Sequence, residues 1–419
     1  MRSYLLGLDI GTTNLKAVVF DTEGRAVAQA RRPNVTHHPR PDWSAHDADE
    51  LWGGVAGAIR EVVQAGGDRG SIEAIGVASM GEAGVPLGAR GRPLYPVICW
   101  HDPRTREETL ELGCRFGATR LFAITGQPLD FIHSLPKLLW LRRHEPAVFA
   151  RMRRWLCMEE LIIYRLTGRA ATDYTVASRT MLFDQRRRDW SAELLAVAGL
   201  QVEQLPDLLP SGTVAGHVSE EAARLTGLRT GTPVATGGHD HLCGSLASGG
   251  HEPDVLLDSA GTSETVLVNV PTPLLDERTR QTGYECYSHV VRDAYVLKGG
   301  LKMSGGLVEW FARQFCAPEC EEAERTGQPA VGAILDRLGD EPGNRGVFCF
   351  PYLGRGGTPL RDIGALGAFV GVTTSHTRWH LLGALVEATC YWLRENLDVY
   401  RHDLGLPVQR IRAIGGPTR

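Results

Sequence analysis

Five places in this chain gather the residue types that bind anions or move protons. The first is Asp9-Ile10-Gly11-Thr12-Thr13. Glycine lets backbone N–H groups approach a phosphate closely, and the two threonines add hydroxyl donors. Asp9, at the end of an apolar run, is placed to hold a magnesium ion directly or through water. An ordinary hairpin would also use Gly and Thr there. The second is Gly237-Gly238-His239-Asp240-His241. A carboxylate after two glycines at a strand end sits where a ligand can reach it, so Asp240 can accept a proton from an attacking hydroxyl. It can equally start a helix as an N-cap, and the two roles are compatible. Trp100-His101-Asp102-Pro103-Arg104 offers an apolar ring, a carboxylate and a guanidinium, the set a polyhydroxy ligand needs. Without context, a surface loop with an Asp-Pro turn explains it better. Gly81-Glu82 follows a buried strand and is expected to expose the Glu82 carboxylate, as a plain loop acid would. Gly261-Thr262-Ser263 repeats the type of the first loop.

The elements that must position these residues read as α/β. Tyr4–Leu8, Lys16–Asp21 and Ala26–Ala30 are three strands joined by tight turns, an antiparallel meander. Asp47 to Val63 has helical spacing, with Leu51, Val55, Ile59 and Val62 on one side. Ile72–Val77 is a short buried strand. Pro136–Phe149, Glu159–Thr167 and Glu220–Gly227 read as helices, and Thr232–Gly238 reads as a strand ending in a glycine loop. A boundary falls near Ser248-Gly249-Gly250, giving domains 1–247 and 248–419. Beyond it, Asp254–Asp258, the Gly261 turn and Thr265–Val268 echo the start of the chain. This suggests two duplicated domains that face each other.

The chain has 419 residues, 43% hydrophobic and 22% charged, with a formal net charge of −4. That balance gives no pull toward nucleic acid or an anionic membrane. The short basic runs Arg186–Arg188 and Arg151–Arg154 read as solvated faces. No stretch approaches the roughly 18 apolar residues of a membrane span. The N-terminal apolar run is too short for a signal peptide and meets Asp9 at once. Nine scattered cysteines with no C-x-x-C pair point to reduced, mostly buried thiols and a cytoplasmic protein.

With these residues assembled, the chain resembles the FGGY carbohydrate kinases, from residue 4 to its end. Gly7 to Lys16 is similar to the family's first phosphate motif, and Asp42-Trp43-Ser44 to the segment before its first helix. Gly367–Val372, His380-Leu381 and Ala384–Glu387 match its C-terminal signature. Ser134–His144 has the Lys137 and Trp140 of the central signature, with Ile132 as a variant. The resemblance implies an actin-like ATPase fold: two ribonuclease-H-like domains flanking an active-site cleft. It implies ATP and Mg2+ as cofactors and phosphorylation of a small sugar or polyol, a ketopentose-like substrate favoured. Asp240 becomes the catalytic base, and Asp9 and Asp240 the metal ligands. Gly11, Thr12, Thr13, Asn14, Lys16, Gly261, Thr262 and Ser263 go to the nucleotide phosphates, and Gly415 and Gly416 to adenosine. Gly81, Glu82, Trp100, Asp102, Arg104, Asp240 and His241 go to the sugar. Many such kinases dimerise, which leaves a homodimer open, although no interface signature stands in the sequence.

The differences from the family are specific. Glu82 stands where xylulokinases usually carry a histidine and glycerol kinase a substrate-contacting glutamate. His239 and His241 flank the base where xylulokinases mostly carry glycine and asparagine. Tyr352–Gly356 lacks a common Gly-Glu-Arg, and Leu366 replaces a frequent arginine. The glycine-rich adenosine motif begins at Ala413-Ile414-Gly415-Gly416, and the chain stops at Arg419 where the family continues. The expectation is a truncated second domain with an unfinished adenine pocket. A non-catalytic actin-like sugar- or nucleotide-binding regulator, or a truncated inactive kinase, is the competing reading.

Overall fold

The computed structural model describes residues 3–66, 71–327, 329–338, 343–354, 356–359 and 364–416. Arg355 and the final Arg419 lie outside them. The chain divides into two compact units. One holds the residues up to Ala247 together with Pro271–Asp276 and Cys286–Tyr295. The other holds Ser248–Val270, Glu277–Glu285 and the residues from Val296 on.

The first unit is built on a six-stranded sheet. Its order is Val214–His217, Pro233–His239, Ser71–Ser79, Ser3–Ile10, Asn14–Asp21, Ala26–Pro33. The last three form the expected antiparallel meander. Along Ser3–Ile10 the side chains alternate, and Tyr4, Leu6, Leu8 and Ile10 are buried. The helix Ala48–Gly66 packs on this sheet through Leu51, Val55, Ile59 and Val62, four residues at helical spacing. Burying each of these side chains contributes about 1.5–3 kcal/mol. The helix starts where Asp47 Oδ1 accepts the N–H groups of Asp49 and Glu50, both at 2.9 Å.

Ser3–Ile10 runs parallel to Ser71–Ser79, which runs parallel to Pro233–His239. Three strands therefore end side by side. The expected helix Pro136–Phe149 is two helices, Ser134–His144 and Pro146–Arg151. Pro146 has no N–H to continue the ladder and biases Glu145 away from the helical region. Glu145 sits at φ −130°, ψ 55°.

The second unit repeats the plan. Val255–Ala260 pairs antiparallel with Glu264–Val270 and parallel with Arg410–Gly415. Its core includes Leu307 and Phe311 of the helix Gly305–Phe315 and Trp379, Leu382 and Leu385 of the helix Arg378–Asp398. In both units a strand runs into a Gly-Thr loop, returns antiparallel, and takes a parallel strand on its other side.

Candidate active site

In open α/β sheets ligands sit beyond the carboxyl ends of the strands. The first unit brings its candidates to that edge by register alone. Ile10 pairs with Ser79, and Ser79 with His239. The loops that follow these three positions carry Gly11–Thr13, Gly81-Glu82 and Asp240.

The first loop is closed by the Gly11 N–H donating to the Asn14 carbonyl at 2.9 Å. Asn34 braces it, giving its side-chain amide to the Gly11 carbonyl at 3.0 Å and its N–H to the Thr13 carbonyl at 2.9 Å. Asp9 faces Lys16 across the hairpin, Oδ2 to Nζ 2.9 Å. Asn14 Oδ1 accepts from Arg31 at 2.6 Å. Thr12 accepts the indole N–H of Trp100 at 3.0 Å. Trp100 thus leans on the first loop.

Asp240 is presented by a β-bulge between Thr236 and Gly238. Gly238 has φ +128°, and a Cβ there would lie 2.8 Å from Thr175 Oγ1. Only glycine takes that turn without strain. Beneath it lies a layer of buried acids. Glu159 accepts the Gly237 N–H at 2.9 Å and the Asp173 N–H at 3.3 Å. Asp173 accepts the Thr175 hydroxyl at 2.9 Å, and Thr175 Oγ1 accepts the His239 N–H at 2.8 Å. Burial pushes the Glu159 carboxyl well above its ordinary range, and the negative neighbours Asp173 and Glu160 add to it. Burial also raises Asp173. Above this layer Asp240 keeps about a third of its side chain exposed. Its Oδ1 takes the N–H of His241 at 2.7 Å.

Glu82 is buried, contrary to the expected exposed loop acid. The reason is the buried Arg179 guanidinium, which pairs with the Glu82 carboxylate and donates to Gln127 Oε1 at 3.0 Å. A charge this deep needs its partner. Glu82 also sits at φ +63°, a left-handed backbone that a non-glycine residue rarely holds. The Arg179 guanidinium stacks 5.2 Å from the Tyr287 ring centroid. Tyr287 Oη lies 3.3 Å from His239 Nδ1. A side chain on Gly81 would come within 3.2 Å of both Arg179 and His239.

Asp102 is fully buried behind Trp100. Its oxygens take the Arg104 guanidinium at 2.8 and 2.7 Å and the Ser44 N–H at 2.6 Å. Arg104 lies 3.8 Å over the Trp43 ring. The Trp43 and Trp100 segments, far apart in sequence, are tied through this pair.

In the second unit the Gly261 N–H donates to the Ser263 carbonyl at 2.9 Å. The N–H groups of Ser304 and Gly306 hold the Thr262 carbonyl at 2.9 and 3.0 Å. Gly415 pairs with Ala260, which places the Gly415-Gly416 turn beside the Gly261 loop. Beneath this loop Asp258 and Glu264 share a buried site. Burial and the Glu264 charge push the Asp258 carboxyl well above its ordinary range.

The hard oxygen donors of Asp9 and Asp240 suit Mg2+. Both carboxylates are partly exposed, and they stand at the ends of strands in the same sheet. Glu159, Asp173, Arg179 and Gln127 escape a motif-based reading. One signal was available: Glu159-Glu160 interrupts the apolar stretch Trp155 to Ile163, and acids in an apolar run are seldom buried without a task.

A duplicated two-unit α/β fold with a Gly-Thr loop opening each half is the actin-like ATPase fold. Residues 4–247 match the N-terminal domain, and residues 256–419 the C-terminal domain, of the FGGY family of carbohydrate kinases. The chain belongs to this family and is an ATP-dependent kinase of a sugar or polyol. A xylulose kinase of Escherichia coli is 29% identical over 419 residues, covering 99% of this chain and 82% of that protein. A glycerol kinase of Chloroflexus aggregans is also 29% identical, over 434 residues, with 99% and 82% covered. The solved structure of a xylulose kinase from Rhodospirillum rubrum superposes with a TM-score of 0.89 at 32% identity, covering 99% of this chain and 82% of that one. Equal likeness to kinases of different acceptors leaves the substrate to the site. Among the described residues no helix is long and apolar enough to cross a membrane.

Proposed function

We propose that this kinase phosphorylates a hydroxyl of a neutral open-chain sugar or polyol, with a ketopentose such as xylulose favoured. One observation carries this reading: the Arg179 guanidinium is already committed to Glu82 and Gln127. An acid sugar needs a cation for its carboxylate, and this one is neutralised. The Glu82–Arg179 pair is neutral overall and offers carboxylate oxygens to hydroxyl donors, while its guanidinium is spent on Glu82 rather than on an aldonate carboxylate. The likeness to the Rhodospirillum rubrum xylulose kinase supports the ketose over the triol.

In this reading Gly81, Glu82, Trp100 and His241 contact the sugar, with Asp102 and Arg104 holding the Trp100 segment. Asp240 accepts the hydroxyl proton as the sugar oxygen bonds to the γ-phosphorus. The bond from that phosphorus to its bridging oxygen breaks, and ADP leaves. Positioning and charge neutralisation supply most of the rate in such transfers. Gly11, Thr12, Thr13, Asn14 and Lys16, with Gly261, Thr262 and Ser263, are assigned to the nucleotide phosphates, and Gly415 and Gly416 to adenosine. Mg2+, held by Asp9 and Asp240, would neutralise phosphate charge.

The test is ADP release with Mg-ATP and a panel of ketopentoses, polyols and aldonates. The highest kcat/KM is expected for a ketopentose and the lowest for gluconate. A preference for gluconate, or silence across the panel with sugar still bound, contradicts the proposal.

A further inference from the structure

We propose that His239, Asp240 and His241 form a binding site for a borderline-soft divalent cation of the zinc class, distinct in chemistry from the magnesium of phosphate transfer. Their ligand atoms all lie within 4.8 Å of one another. His239 Nε2 is 3.4 Å from the Asp240 carboxylate. Bonds of about 2.0–2.2 Å at tetrahedral angles set two zinc ligands about 3.4 Å apart. That pair is therefore already at ligand spacing. The His239 and His241 rings stand 5.3 Å apart between centroids, so a side-chain rotation of His241 completes the set.

The surroundings are those of a built site. Tyr287 Oη holds His239 Nδ1 at 3.3 Å, which turns Nε2 toward Asp240. Metal-binding histidines have such an outer partner on the second nitrogen, and it fixes the ring. The His239 backbone is anchored by Thr175 at 2.8 Å. His239 is buried, whereas Asp240 and His241 are partly open, which leaves an entry side and room for a water as fourth ligand. Two imidazoles and one carboxylate select zinc, nickel or copper over magnesium, which prefers oxygen.

The consequence rests on the role proposed for Asp240. Zn2+ held by both imidazoles as well as the carboxylate ties Asp240 up against the hydroxyl proton it would accept, whereas Mg2+ would rest mainly on Asp9, so micromolar zinc acts as an inhibitor of the kinase.

The test is direct metal binding by the full chain after chelation. Zn2+ is titrated by calorimetry, and Co2+ is followed by its visible spectrum. The expectation is one equivalent bound with a tetrahedral Co2+ spectrum. His241→Ala and His239→Gln should each weaken binding at least about tenfold, and Tyr287→Phe about 10–100-fold. His402→Ala, an exposed control, should change nothing. His241 is not in the core, so His241→Ala stands as the test even if His239→Gln fails to fold. No binding by the native chain, or full affinity in His241→Ala, overturns the proposal. A chain that binds one Zn2+ yet turns over no sugar supports this site and contradicts the functional reading. An active kinase that binds no Zn2+ does the reverse.

Discussion

The indole N–H of Trp100 donates to the hydroxyl of Thr12 at 3.0 Å, joining two loops 88 residues apart in the chain. In the proposed function one loop binds phosphate and the other sugar, so this bond would couple the two substrates within one unit. Both residues are partly exposed, and losing the bond should cost less than about 1.5 kcal/mol of stability. Trp100→Phe should nevertheless lower kcat/KM for ATP about tenfold, the effect of roughly 1.4 kcal/mol. Thr12→Val should do the same. Steady-state kinetics of both and of the double variant check this, because residues that act through one bond give a double variant no worse than either single. Additive losses would mean the bond couples nothing.

Glu82 and Arg179 give a second prediction, on stability. Removing one partner of a buried ion pair leaves an uncompensated charge and costs about 3–5 kcal/mol. Arg179→Met and Glu82→Gln should each lower the denaturation free energy by that order. The pair Glu82→Gln with Arg179→Met should cost clearly less than their sum. Urea unfolding of the four proteins measures it. The single variant Glu82→Gln should also lose discrimination against gluconate, because it frees the Arg179 guanidinium for the acid, whereas the double variant, which lacks that cation, should keep it.

A third prediction concerns pH. Burial raises the Glu160 carboxyl to about 7 from an ordinary value near 4.5. The folded state then holds a proton that the unfolded chain has released between those values. Its contribution to stability is full below about 4.5 and is lost as pH rises through about 7. Glu160→Gln keeps an oxygen to accept the Cys157 N–H, a bond the native carboxylate makes. The variant should therefore be more stable than the native chain at pH 8, with the gap closing by pH 4.5. Thermal unfolding across that range tests it, and a gap that widens toward acid would contradict the assignment.

The legible parts of this molecule were those written locally. The meander of Tyr4 to Ala30, the helix over Leu51 to Val62 and the repeat of the Gly-Thr hairpin rest on side-chain period and turn residues, and the structure has them. The Ser134–His144 helix ends where Pro146 says it must, although apolar spacing alone runs on to Phe149. Long-range pairing was not legible. Nothing near Glu82 announces that Arg179, 97 residues on, will bury it. The layer of Glu159 and Asp173 under the Gly237-Gly238 bulge depends on strands meeting in register, which no local pattern encodes. Asp102, a ligand contact by its segment, is bound by Arg104 of the same segment.

In the proposed function Asp240 accepts the proton of the attacking hydroxyl. Asp240→Asn is nearly isosteric and keeps an oxygen for the His241 N–H, so the fold and both substrate sites should persist. The decisive measurement is single-turnover phosphoryl transfer by this variant, with sugar and ATP binding measured on the same sample. Dissociation constants should stay within a few-fold of the native chain while the transfer rate falls by about 10²–10⁴-fold, the usual contribution of a general base. Native-rate transfer by Asp240→Asn would contradict it.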